Sequence, residues 1–150
     1  MIIRAARLSD QAALVSLAER LTAFDLPPWR RPEDIATADA RDMIAAVTAG
    51  AADNAVWIAE QDSGVAGCLH VLVTTDFFGT RHAHISVIAT TAAAEGSGVG
   101  RALLAHAEAW ARERRLPLLT LNVFAANSRA RRFYEKAGWA PEMLKYTKPL

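Results

Sequence analysis

The chain has 150 residues, enough for one domain around one core, and 52% of them are apolar against 22% charged. That balance excludes a disordered chain, and a formal net charge of +1 gives no argument for a nucleic-acid or membrane surface, so neither partner is expected. Of the 17 basic residues 14 are arginine, and their tightest cluster, Arg112, Arg114 and Arg115 around Glu113, suits a solvated helix end better than an RNA patch.

Ile2 to Arg7 reads as a short strand. Ser9 or Asp10 can cap a helix from about 10 to 22, where Leu14, Leu17, Ala18 and Leu21 repeat at three and four. FDLPPWRRPED (24–34) holds three prolines in six residues and is expected to be irregular. A second helix is expected from 33 or 39 to 49, with Met43, Ile44 and Val47 apolar and Gly50 as its stop. VWIAE (56–60) and VAGCLHVLVT (65–74) read as strands joined by a hairpin turn at QDSG. HAHISVIAT (82–90) is a third member of that sheet, linked through FFGTR. A helix over about 98–114 follows, burying Leu103, Leu104, Ala107, Trp110 and Ala111 and leaving Arg101, Glu108 and Arg112 outside. LLTLNVF (118–124) is a strand, 127–137 a helix closed by Gly138, and 143–147 a last short strand. The order β-α-α-β-β-β-α-β-α-β implies an α/β fold with a mixed central sheet flanked by helices, as one domain over 1–150.

Cys68 is the only cysteine, so there is neither an internal disulfide nor a thiolate metal cluster, and no metal is expected. Its apolar context, AGCLHVLV, reads as a buried thiol rather than a nucleophile. MIIRAARLSD lacks the apolar run and cleavage site of a leader, and no window approaches the roughly 18 apolar residues of a membrane span. A reducing, cytoplasmic location is therefore expected.

Two runs carry chemistry. In EGSGVGRALL (95–104) glycines stand at 96, 98 and 100, between a strand end and a helix start. Amides of a first helical turn have no partner within the helix and point at whatever sits there, so the run suits an anion; a tight structural turn is the competing reading. A Walker loop needs Gly-Lys-Ser/Thr, and here Gly100 is followed by Arg101 and Ala102. A dinucleotide fingerprint needs GxGxxG near the first strand, and here the spacing is GxGxG, late in the chain. In LNVFAANSRARRFYEKAGW (121–139) Asn127, Ala130 and Tyr134 are spaced three and four and share one helix side. Tyr134 alone reads rather as a core or boundary tyrosine with its hydroxyl at water.

Together the two runs resemble the GNAT family of N-acetyltransferases. Its phosphate loop, Gln/Arg-x-x-Gly-x-Gly/Ala after the fourth strand, corresponds to Glu95-Gly96-Ser97-Gly98-Val99-Gly100. Its second signature, an Asn, an Ala and a Tyr on the helix after strand five and then Gly-Phe, corresponds to Asn127, Ala130, Tyr134 and Gly138-Trp139. The resemblance implies an acyl-CoA acyltransferase fold that takes acetyl-coenzyme A as cosubstrate. Amides of Gly96, Ser97, Gly98, Val99, Gly100 and Arg101 would hold the diphosphate. The pantetheine arm would pair beside Ile88, Ala89 and Thr90, with Asn127 helping to fix it. Tyr134 would protonate the leaving thiolate, and the acceptor amine would attack the thioester directly. Glu95 departs from the pattern: a carboxylate beside a diphosphate is repelled, and its side chain is expected to turn toward Arg101 or solvent.

The amine must lose a proton, and the family often uses an acidic residue on strand four. HAHISVIAT has none; it offers His82, His84 and Ser86 on one side of an extended strand, with His84 as the candidate base and a water relay as competitor. The family places a loop and helix over the acceptor where FDLPPWRRPED lies, so Phe24 and Trp29 can wall the pocket and Arg30 or Arg31 can meet a carboxylate, although packing or solvation explains each equally. Phe77 and Phe78 form a second rim or pair across a homodimer. The expected activity is acetyl transfer to a small-molecule or peptide amine. A fold member that binds acyl-coenzyme A without turnover, as a sensor or interaction module, is the alternative that Glu95 and the missing carboxylate motivate; a structural protein without cofactor is the third.

Overall fold

The computed structural model describes residues 1–150. Its elements are β1 (Ile2–Ala5), α1 (Gln11–Glu19), α2 (Pro32–Ala49), β2 (Asn54–Gln61), β3 (Gly64–Thr75), β4 (Arg81–Thr90), α3 (Val99–Glu113), β5 (Leu119–Leu121) and α4 (Ser128–Lys136). The five strands lie side by side in chain order. Neighbours from β1 to β4 are antiparallel; β5 is parallel to β4, the return that a helical crossover such as α3 permits.

Each sheet face is apolar because strand residues alternate, and each is covered by helices. On one face Leu14 and Leu17 of α1 and Met43 of α2 meet Ile58, Cys68, Val87 and Ala89. On the other, the α3 stripe of Leu103, Leu104, Ala107, Trp110 and Ala111 meets Leu69, Val71, Ala83 and Ile85. Each fully buried leucine in that stripe contributes about 2 kcal/mol. Gly67 lets α3 come this close: a Cβ there would lie 2.6 Å from the Ala89 carbonyl oxygen and 3.1 Å from Val99 Cγ1.

Several expected boundaries shift, each for a local reason. α2 starts at Pro32, inside the stretch expected to be irregular, because proline at the first helical position loses no hydrogen bond. β5 keeps three residues instead of the expected seven of 118–124, because only Leu119, Thr120 and Leu121 find partners on β4. The strand expected at 143–147 does not form: β5 offers a three-residue edge, and Met143, Leu144 and Tyr146 stand exposed. The α3 side of this end is met by Phe133 and Tyr134 of α4 and by Trp139 just beyond it.

β4 is interrupted. Its pairing to β3 jumps from Val71↔Ile85 to His70↔Val87, which leaves Ser86 as a bulge. Ala83 and Ile85 therefore face α3, whereas Val87 and Ala89 face α1 and α2. This corrects the picture of one extended strand with Ser86 continuing the line of His82 and His84.

Candidate active site

β4 and β5 part company at the bulge. Their ladder is Ala83↔Leu119, His84↔Thr120 and Ile85↔Leu121, and no strand pairs with that edge of β4 over residues 86–90. Ile88, Ala89 and Thr90 pair only with β3, through Leu69, Cys68 and Gly67. Their open edge runs into the glycine loop.

The glycines of that loop serve two purposes. Gly96 and Gly98 have φ of 75° and 88°, a left-handed backbone that side chains disfavour, and a Cβ at either would meet nothing within 4 Å. Gly100 instead allows packing, with its missing Cβ 3.4 Å from Phe133 Cζ of α4. The Ser97 amide is used internally, donating to the Ala94 carbonyl at 3.2 Å, and its hydroxyl donates to the same oxygen at 2.7 Å. The amides of Gly96, Gly98, Val99, Gly100 and Arg101 donate to no backbone carbonyl; the α3 ladder begins with Ala102 on Gly98. Five donors around a surface without Cβ atoms fit an anion with several oxygens. Ser97 belongs to the loop but its amide does not join that set.

Glu95 does not meet Arg101; its side chain, partly open to solvent, turns to two other arginines. Arg20, at the start of the turn that follows α1, donates from Nη2 to Glu95 Oε1, and Arg129 of α4 donates from Nη2 to Oε2 at 2.8 Å. Arg129 first, then Arg20, holds the Glu95 carboxyl below the ordinary range. Two cations on one anion leave this corner of the loop positive.

His82 and His84 alternate with Ala83 and Ile85, so they face α1 and α2. His82 is buried, not exposed at the strand start, and its Nδ1 lies 3.1 Å from the Thr80 carbonyl oxygen. His84 Nδ1 lies 2.8 Å from Thr120 Oγ1, and that hydroxyl is oriented to donate to the Ala83 carbonyl at 3.5 Å. With the hydroxyl donating to Ala83, Thr120 Oγ1 would accept from Nδ1–H, and that tautomer is the one that leaves the Nε2 lone pair free. Burial, and secondarily the charge of His82, pushes the His84 pKa below that of a free imidazole. Neutral His84 therefore predominates near pH 7 and is able to accept a proton.

Tyr134 lies on the opposite side of the sheet. It packs with the α3 cluster, its ring 5.3 Å from Phe133 and 5.9 Å from Trp139. Burial pushes its phenol up to about 12, so the hydroxyl keeps its proton. Asn127 caps α4, its Oδ1 accepting from the Ala130 amide at 3.0 Å, which leaves only its NH2 group for any other partner.

Phe24, in the loop between α1 and α2, lies tilted against Phe124 beyond β5, with ring centroids 5.5 Å apart. Trp29 is 44% exposed, and Phe77 and Phe78 form an exposed pair at the hairpin tip between β3 and β4. Arg31 makes only loose pairs, 3.9 Å from both Glu33 and Asp34. Cys68 is fully buried against the Met43 sulfur at 3.9 Å, and burial raises its thiol to about 12, which removes it as a nucleophile.

Two groups of the α1 and α2 face escaped the sequence reading. His70 is buried, with Nε2 2.7 Å from Asn54 Oδ1 and no protein partner at Nδ1. Within AGCLHVLV it looks like one more strand residue, and only the register shows it diagonal to His84. Asp39 of α2 sits near enough to be felt by the Cys68 thiol, and burial, with Asp42 second, pushes its carboxyl up to about 6. Its polarity on an otherwise apolar helix face was the one available signal. No group of His, Cys, Asp and Glu side chains is gathered as a metal site, and no helix is long and apolar enough to cross a membrane.

Residues 14–139 match the family model described as the acetyltransferase (GNAT) family. No curated protein matches the chain. Among solved structures, a mutant of the BH1408 protein of Bacillus halodurans is similar at 19% identity, over 100% of this chain and 99% of that one, with TM-score 0.78. A GCN5-related N-acetyltransferase of Ralstonia eutropha is similar at 16% identity, covering 99% and 97%, with TM-score 0.76. A ribosomal-protein-alanine N-acetyltransferase of Brucella melitensis biovar Abortus is similar at 19% identity, covering 99% of each chain, with TM-score 0.70. At these identities the structural likeness establishes the fold.

Proposed function

The chain belongs to the acetyltransferase (GNAT) family, and on that premise we propose that it transfers an acetyl group from acetyl-coenzyme A to an amine that attacks the thioester directly. The observation that carries the reading is the β4 edge left without a partner strand over residues 86–90, which runs by way of residues 91–95 into the glycine loop and its five unpaired amides. The cosubstrate would supply an acyl group already activated as a thioester.

The protein's tasks follow from its geometry. Amides of Gly96, Gly98, Val99, Gly100 and Arg101 hold the diphosphate, and missing Cβ atoms at Gly96 and Gly98 let backbone approach it. The edge at Ile88, Ala89 and Thr90 receives the extended arm as an added strand. Nε2 of His84 takes a proton from the amine on the α1 and α2 side, where Phe24, Trp29 and the neighbouring arginines border the approach. The Tyr134 hydroxyl donates to the departing sulfur on the α3 and α4 side. Acid and base thus stand on opposite sides of the sheet, the arrangement that direct attack through an opening between two strands requires. The buried, high-pKa Cys68 thiol has no step in this reaction.

A thiol-release assay with acetyl-coenzyme A against a panel of small-molecule and peptide amines tests the proposal. Release that depends on both amine and protein is expected. Tight coenzyme A binding with no release for any amine would favour a binding module, and no binding at all would sink both readings.

A further inference from the structure

A lone carboxylate at the first position of a diphosphate-binding loop repels the ligand and weakens its binding. Glu95 is not alone. Its two oxygens hold two guanidiniums brought from elsewhere in the chain, Arg20 from the end of the first helical segment and Arg129 from the first turn of α4. Three segments meet at this carboxylate. The cluster carries a net charge of +1, counting two arginines and one glutamate.

The two arginines are not equivalent. The Arg20 side chain is 35% exposed, and its Nε is buried without a protein partner. Arg129 is 72% exposed and commits a single nitrogen, Nη2, to Glu95. Most of its guanidinium fork therefore faces solvent while its position is set by the carboxylate. A long exposed arginine otherwise loses rotamer freedom when it binds an anion, and tethering it beforehand lowers that cost.

We propose that Glu95 is a positioning residue, which holds Arg129, backed by Arg20, beside the free amides of the loop, and that Arg129 contacts the cosubstrate's diphosphate. The cation that the family's motif places at the loop's first position is here delivered from α4, with a carboxylate as its holder. This assignment rests on the acetyl-coenzyme A reading above and adds two arginines and a role for Glu95 to it.

The two hypotheses for Glu95 differ in sign. If it only repels phosphate, Glu95→Gln tightens coenzyme A binding. If it holds Arg129, the same change loosens it. Calorimetry with coenzyme A at two salt concentrations would compare the parent, Glu95→Gln, Arg129→Gln and Arg129→Lys, with thermal melts to verify folding. Arg129→Gln is expected to weaken binding about tenfold and to flatten the salt dependence, because one phosphate contact is lost. Arg129→Lys recovers part of the loss, and Glu95→Gln weakens binding several-fold. The loss in Arg129→Gln is equally large with 3′-dephospho-coenzyme A, because the diphosphate is still present. A loss confined to coenzyme A itself would move the contact to the 3′-phosphate and overturn the assignment. Tightening in Glu95→Gln would overturn the positioning role. Unchanged affinity in a folded Arg129→Gln protein would overturn the inference alone, whereas a parent that binds no coenzyme A would overturn the family-based reading beneath it.

Discussion

Tyr134 and His84 each do their proposed work through one proton, and each can be probed by removing it. Tyr134→Phe keeps the ring against Phe133 and Trp139. Turnover is expected to fall about 10²-fold, near the low end for general acids, because a thiolate is a good leaving group. Coenzyme A affinity measured on the same preparation should stay put; a rate within twofold of the parent would give the proton to water. For His84 the sign follows from burial. Its pKa in the folded protein lies below the free value of about 6.5, so the active neutral form persists into mildly acidic solution. A plot of kcat/KM against pH should show an acid limb centred below that value. His84→Gln should remove the limb and lower the rate by about 10². A limb that survives the substitution would shift the base to another group, with Asp39 the first to examine.

At the level of elements, one ion network ties the N-terminal strand to the first helix. Arg4 of β1 donates to both oxygens of Asp10 at 2.8 and 2.9 Å and to Glu60 of β2, and Asp10 also accepts from the Arg7 amide at 2.7 Å. The Arg4 hydrogen bonds hold the Asp10 carboxyl below its ordinary value despite its burial. A folded-state pKa below the unfolded one means that the unfolded chain binds more protons in acid. Asp10 therefore stabilises the fold fully above the unfolded carboxylate value of about 3.9, and this contribution is lost as pH falls through the folded value. Asp10→Asn should cost about 2 kcal/mol at pH 7, read from urea midpoints, and the gap to the parent should narrow below about pH 4. A gap that does not change with pH would assign the effect to packing. α1, α2 and α3 were legible because their apolar stripes repeat at three and four. β5 and the tail at 143–147 were not, because strand length is set by the partner edge, and the bulge at Ser86 ends that edge early.

The whole molecule offers a coarser test of the same site. A ligand that binds only the folded state raises its stability by about 2.7 kcal/mol at a hundredfold excess over Kd. For a domain of this size that corresponds to about 5–10 °C in Tm. Coenzyme A should produce such a shift, and Gly98→Asp, which adds a side chain and a charge at a left-handed position of the loop, should abolish it. An equal shift in the folded variant would move the ligand away from the loop.

The linear sequence determined the fold class, the loop and the membership. Helical and strand periods, glycines at 96 and 98 and the Asn127, Ala130, Tyr134 spacing are local properties, each written within a few residues of chain. The buried Cys68 belongs with them, since its strand context is local too. What only the tertiary structure decided are relations across the chain. Glu95 meets Arg20, 75 residues away, and Arg129, 34 residues away. Thr120, 36 residues from His84, is the hydrogen-bond partner of that ring's Nδ1. The β4–β5 ladder stops at Ile85, next to the Ser86 bulge, and leaves that edge of β4 unpaired beyond it. Such contacts depend on register and crossover, which long-range packing fixes and no local window of sequence encodes.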